Sequence, residues 1–230
     1  MPDKDIAVFP AKQFFVQMMT RDIGLEEAVL DLLDNCIDGL LRSTKEISGP
    51  QPYNGFYAEI YADSDRFIIQ DNCGGIPRQI ARESAFRLGR PDLSRDSDLK
   101  TVGMYGIGMK RAIFKMGRNA EVYSRPDGDT YQVKIDPQWM DTDDDWQLSL
   151  EEAEASIRSQ GTKIYVDHLY ETIQHQFDEG KSNFLNELKD EISRFYAIII
   201  KKGFRISLNN AEISPKDVSL RVADPESVNS

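Results

Sequence analysis

Cysteine and histidine are nearly absent: 230 residues hold two of each. Cys36 and Cys73 are too few for a disulfide framework, which implies a reducing compartment. No Cys or His spacing suits zinc. His168 and His175 fall into no Ser-His-Asp or Cys-His arrangement, and both read as surface residues. Long apolar runs are missing too. The longest, around Tyr196 to Ile200, is far too short for a bilayer, and MPDKDIAVFP at the start has no cationic apolar leader. A cytoplasmic protein without a membrane partner is expected. Positive charge is the third shortage, since a net charge of -11 excludes a nucleic-acid clamp built from the whole surface. A local patch stays open.

Present instead is one unusual helix. Residues 22–42, DIGLEEAVLDLLDNCIDGLLR, place Leu25, Val29, Leu32, Leu33, Cys36, Ile37, Leu40 and Leu41 over half of the circumference, as a core helix requires. The other side is acidic. Glu27, Asp31, Asp34, Asn35 and Asp38 form one stripe, which repels itself unless water, a basic partner or a cation relieves it. An acidic stripe is ordinarily a solvated face. The asparagine within it, and three glycine-bearing segments downstream, point to a ligand.

Along the chain, residues 1–10 read as an extended arm and 11–20 as a short apolar helix. A loop at 43–54 precedes strands 56–62 and 66–70, joined by a short turn and expected to pair antiparallel. Asp71-Asn72-Cys73-Gly74-Gly75-Ile76-Pro77 leads into a helix at 78–88. Residues 89–102 are polar and aperiodic, a mobile loop. Gly103-Met104-Tyr105-Gly106-Ile107-Gly108 opens a helix over 109–116. A hairpin at 119–125 and 130–135, an exposed acidic excursion at 141–158, a strand at 162–167 and one long helix over 183–201 follow. Strand 204–208, a turn at Asn209-Asn210 and a tail disordered from about 220 close the pattern. A mixed, mostly antiparallel sheet covered by helices on one face is the expected architecture, an α/β two-layer sandwich.

Single glycine turns are weak signals. The P-loop pattern fails because Met109 stands where its lysine belongs, and the dinucleotide pattern fails because Arg111 replaces the third glycine. The surviving feature is an ordered set: Asp31-Leu32-Leu33-Asp34-Asn35-Cys36-Ile37-Asp38, then Asp71 to Gly75, then Gly103 to Gly108, then Gly161-Thr162-Lys163-Ile164. In this order the segments resemble the GHKL superfamily of ATPases, which includes DNA gyrase B subunits, ninety-kilodalton heat-shock chaperones, sensor histidine kinases, MutL and MORC proteins. The pattern is most similar to the MutL and MORC members.

The resemblance implies the Bergerat fold, ATP and Mg2+ as ligands, and residue roles. Asn35 would hold the magnesium, a hard neutral oxygen for a cation that keeps its waters. Asp71 would accept from the adenine amine, with Gly74 and Gly75 passing under the base and Thr162 completing the contact. Gly103, Tyr105, Gly106, Ile107 and Gly108 would form a lid whose N–H groups close on the phosphates, and Lys110 would add charge there or stay a solvated lysine. The chain departs from the family at three points. Asp31 replaces the usual glutamate base, with Glu27 the substitute. Cys73 replaces a glycine of the adenine turn. The lysine-bearing transducer domain is represented only by residues 204–213.

The expected division is an arm at 1–20, an ATP-binding domain at 21–203 and a transducer-like segment with its tail at 204–230, either the front of a larger protein or a chain that works with partners. The implied activity is slow ATP hydrolysis driving lid closure and homodimer formation, with a downstream effector. An ATP sensor that does not hydrolyse is the alternative. A histidine kinase fits less well, because the acid before Asn35 is unusual there and no phosphoacceptor helix is seen. The basic excess between Arg78 and Arg118 leaves direct nucleic-acid binding open.

Overall fold

A computed structural model describes residues 11–44, 48–87, 107–126, 128–143, 145–153, 157 and 159–216. The arm at 1–10, the loop at 89–102 with Gly103, Tyr105 and Gly106, and the tail from 220 lie outside them.

The period-two alternation of the strands builds one sheet. Its strands are β1 (Tyr57–Ala62), β2 (Arg66–Asp71), β3 (Gly117–Arg125), β4 (Tyr131–Ile135), β5 (Leu150–Glu152), β6 (Gly161–Leu169), β7 (Arg205–Leu208) and β8 (Ala211–Glu212). They lie in the order β5-β4-β3-β6-β2-β1-β7-β8. Every pairing is antiparallel except β1 with β7, which is parallel. Register sets the core: Ile60, Ile69, Ile164, Val122 and Val133 face one another across five strands, all buried. The next row on the other face carries Tyr61, Ile68, Tyr165, Glu121 and Lys134, none of them buried. One face therefore takes the helices.

Those helices are α1 (Lys12–Thr20), α2 (Leu25–Ser43), α3 (Arg78–Ile80), α4 (Gly108–Met116), α5 (Pro137–Asp141), α6 (Glu171–Phe177), α7 (Phe184–Phe195) and α8 (Ala197–Lys201). The acidic helix is α2. Its predicted apolar side is buried except Leu41, which is exposed because it lies at the outer margin of the stripe. Each fully buried leucine contributes roughly 1.5–3 kcal/mol, whereas like charges one turn apart cost about 0.2–0.5 kcal/mol. Burial decides the helix. Glu27 caps its start, with Oε2 accepting the Gly24 N–H at 3.0 Å.

Four expectations change. The helix at 78–88 is α3 followed by a π-helical turn over Ala81–Ala85, because the ammonium of Lys110 takes the carbonyls of Ser84, Ala85 and Arg87 and ends it there. The long helix over 183–201 is broken between α7 and α8 at Tyr196, whose hydroxyl donates 2.8 Å to Asp34 and 3.2 Å to the Leu30 carbonyl of α2. Anchoring that side chain ends the run. α6 lies in a stretch for which the sequence pattern predicts no element, with Ile173 and Phe177 buried at the i, i+4 spacing of a helix.

The acidic excursion is also more than exposed chain. Its described acids, Asp141, Asp143, Asp145, Glu151 and Glu152, face water, but β5 adds an edge strand to β4 and Ile157 is fully buried. Trp139 and Trp146 stand 6.4 Å apart, nearly perpendicular, and enclose Lys12 of α1. The Lys12 ammonium is 3.9 Å from the Trp139 ring centre and 2.6 Å from the Trp139 carbonyl. Burial lowers its pKa, and Asp145 and Asp143 pull it back up. Residues near 140 thereby seat the N-terminal helix.

Candidate functional site

β2 ends at Asp71, on the face that packs against α2. The carboxylate is 6% exposed and accepts the Cys73 N–H at 2.7 Å, the Thr162 N–H and the Cys36 thiol. Burial pushes its pKa up to about 6, and these donors with the charge of Arg42 hold it from rising further. A carboxylate has about four acceptor positions. The Cys73 thiol donates as well, so two positions are taken by backbone N–H groups and two by thiols, weak donors that a stronger one displaces.

The turn after Asp71 is fastened on both sides. Asn72 accepts the Tyr57 N–H at 2.7 Å and donates to the Gly55 carbonyl at 2.9 Å. Ile76 is held by Ser124, whose Oγ accepts the Ile76 N–H at 2.7 Å, and by the Tyr131 hydroxyl, which donates 2.7 Å to the Ile76 carbonyl. Ser124 and Tyr131 have no motif around them, and sequence reasoning missed both. Gly74 and Gly75 run at φ +103° and +69°. A Cβ on Gly75 would stand 2.8 Å from the Arg125 backbone, and one on Gly161 would stand 2.0 Å from the Asp71 carbonyl oxygen. Only glycine permits these crossings. Cys73, in place of the family's glycine, is buried and fits its turn.

α2 carries the site from this carboxylate toward α4. Cys36 touches Asp71, and Asp31, five residues back and so about 7.5 Å along the axis, reaches the start of α4. Asp31 Oδ2 lies 3.1 Å from Nη2 of Arg111. Between them, Asn35 donates 2.8 Å to the Asp31 carbonyl, is exposed, and its Oδ1 accepts nothing among the described residues. The stripe's repulsion is thus relieved group by group: Glu27 caps, Asp31 pairs with Arg111 and Asp34 receives Tyr196. Asp34 is pushed up by burial, restrained by that hydroxyl, and raised again by Asp31 and Asp38. Glu27 is spent on the cap, whereas Asp31 stands at the start of α4.

Thr162 sits beside Asp71, while Ile107 and Gly108 lead into α4 against Asp31. Lys110 is elsewhere. It is 2% exposed, so it is no solvated lysine, and its ammonium closes the end of the 78–85 helix instead of facing the Asp31 edge. Among the described residues no group of His, Cys, Asp and Glu forms a metal cluster, and His168 and His175 are exposed.

A sheet backed by one helix layer, with an asparagine-bearing helix running along a strand-end carboxylate and a glycine turn, is the two-layer α/β arrangement of the Bergerat fold. The family described as histidine kinase-, DNA gyrase B-, and HSP90-like ATPase matches residues 23–166, and the chain belongs to it. No curated protein matches the chain. Membership implies ATP as the ligand and ATPase activity as the chemistry. No helix among the described residues is long and apolar enough to cross a membrane.

Proposed function

We propose that this chain binds ATP with magnesium along the exposed edge of α2 and hydrolyses it slowly, as the ATPase module of a larger switch. The observation that carries the reading is Asp71: a buried carboxylate held partly by two thiols, weak donors that the amine of a base displaces, at the end of a glycine-lined turn. A carboxylate only accepts, so it takes the amine of adenine and rejects the carbonyl of guanine. Asn35, whose oxygen accepts nothing among the described residues, fits magnesium, and the bound cation would neutralise phosphate charge. The N–H groups at the start of α4, with the segment from Gly103 to Gly108, serve the phosphates, and Asp31 takes the proton from water.

Closure of the segment from residue 89 to 108 and pairing of two protomers follow from the same reading. So does attachment of a downstream effector at β7 and β8, beside β1. The likeness to MutL and MORC proteins rests on sequence pattern. Direct contact with nucleic acid is not needed by this reading, and the cytoplasm suits an ATP-fuelled module with free thiols.

The test is calorimetric titration with ATP and magnesium, with Asp71→Asn alongside. Loss of one charge-assisted hydrogen bond, roughly 1.5–3 kcal/mol, weakens binding on the order of 10- to 150-fold. Unchanged affinity in a folded variant removes Asp71 from the site. A second reading, an ATP sensor that does not hydrolyse, is favoured by the ion pair that occupies Asp31. Phosphate release under saturating ATP separates the two.

A further inference from the structure

The Asp31 carboxylate is held between two features that attract anions. Arg111 meets it at 3.1 Å, and the start of α4 lies against it, with Oδ2 3.4 Å from where a Gly108 Cβ would be. The contact is exchangeable: the side chains are 32% and 31% exposed. It is also half made. A guanidinium edge offers Nε and Nη2 side by side, a fork for two oxygens of one anion. Here Nη2 reaches Asp31, while Nε is buried and has no hydrogen-bond partner among the described residues. A buried N–H left unmade is costly. The acceptor it lacks is a second anionic oxygen presented to the same edge.

We propose that Arg111 is a positioning residue that restrains Asp31 until the terminal phosphate of ATP claims its guanidinium. The inference rests on the ATP-site reading above. That phosphate offers oxygens to both Nε and Nη2 and carries more charge than a single carboxylate, so the exchange favours it. Asp31, one methylene shorter than glutamate, is then released to reach water. The water oxygen bonds to the terminal phosphorus and the bond to the ADP oxygen breaks, its electron pair leaving with ADP. The water proton passes to Asp31 and then to solvent. ADP has no terminal phosphate and leaves the pair closed, so Arg111 makes base activation conditional on the correct nucleotide.

The experiment compares ADP with a non-hydrolysable ATP analogue, each with magnesium, by calorimetry on the wild type, Asp71→Asn, Arg111→Ala and Arg111→Lys. Asp71→Asn weakens both nucleotides. Arg111→Ala weakens the triphosphate on the order of 10- to 150-fold and leaves ADP unchanged, while Arg111→Lys, which keeps the charge without the fork, recovers part of the loss. In turnover, Arg111→Ala raises KM for ATP in step with the calorimetric loss, and Arg111→Lys restores part of it. Equal loss of ADP and triphosphate, or no loss of either, overturns the proposal, as does a fall in kcat with unchanged binding. If Asp71→Asn alters neither nucleotide, or the wild type binds neither, the ATP site itself fails and this inference fails with it.

Discussion

Around Asp71 the polar groups are sunk and held by several donors, and around Asp31 they are open and incompletely paired. Asp71 is buried and takes hydrogen bonds from Cys73, Thr162 and Cys36, on a turn pinned by Asn72, Ser124 and Tyr131. Asp31 is a third exposed and, among the described residues, shares a single contact with an arginine that keeps a spare donor. Recognition of a base gains from a rigid, dry frame, since the frame is the same before and after binding. Chemistry on a phosphate requires groups that change partners. The same helix supplies both because its inner residues are fixed by the core and its outer ones are not.

Substitutions break that contrast in graded steps. The largest effect is expected from Gly161→Val, which drives a side chain into the Asp71 backbone carbonyl at the crossing of β6 and β2. A loss of about 3 kcal/mol or more in stability, with ATP binding gone, should appear in urea unfolding and calorimetry. A fully stable variant would mean that the crossing is not as tight as described. Next comes Asp31→Ala, which leaves the rigid end intact. ATP affinity should persist while kcat falls on the order of 10²- to 10⁴-fold, and continued phosphate release would take Asp31 out of the chemistry.

The third test uses protons. The Asp71 carboxyl, pushed up to about 6 by burial, takes its proton in the folded state before the unfolded chain does. Its contribution to stability is therefore greatest below the ordinary carboxylate range and is lost as pH rises through about 6. Base recognition needs the ionised form and runs the other way. Between pH 7.5 and 5, ATP affinity should fall on the order of 10-fold through this group while its folding contribution improves. Both trends should flatten in Asp71→Asn, and a slope that survives there belongs to another group. The smallest effect is Ser124→Ala, which frees the Ile76 N–H and costs about 1 kcal/mol. Binding should weaken only slightly if Tyr131 alone holds the turn.

The rigid end was the more legible of the two. Asp71, Gly74, Gly75 and the Gly161-Thr162 strand stand close together in short segments, and backbone crossings demand glycine whatever the surrounding sequence. α2 was legible for a similar reason, since helical periodicity states which side is buried. Pairings across many residues were not. Arg111 and Asp31 are eighty positions apart, and nothing in the periodicity of α4 tells which acid its arginine meets. Lys110 reads like any lysine opening a helix, and only the fold shows its ammonium closing the end of another helix. Tyr196 sits in an unbroken apolar run, so the bend that it makes by reaching α2 has no local sign. α6 is short, and its two core contacts fell below what a pattern of seven residues reveals.

The chain contains two tryptophans, and both belong to the box around Lys12. Every photon of indole emission therefore originates at the junction of α1 with the segment near residue 140, with an ammonium 3.9 Å from one ring centre. The turn after Asp71 and the Asp31 edge contain no indole. Intrinsic fluorescence is thus a built-in optical gauge of whether the N-terminal helix is seated. A change in emission on adding nucleotide would be a signal relayed to α1, not a direct view of the ligand.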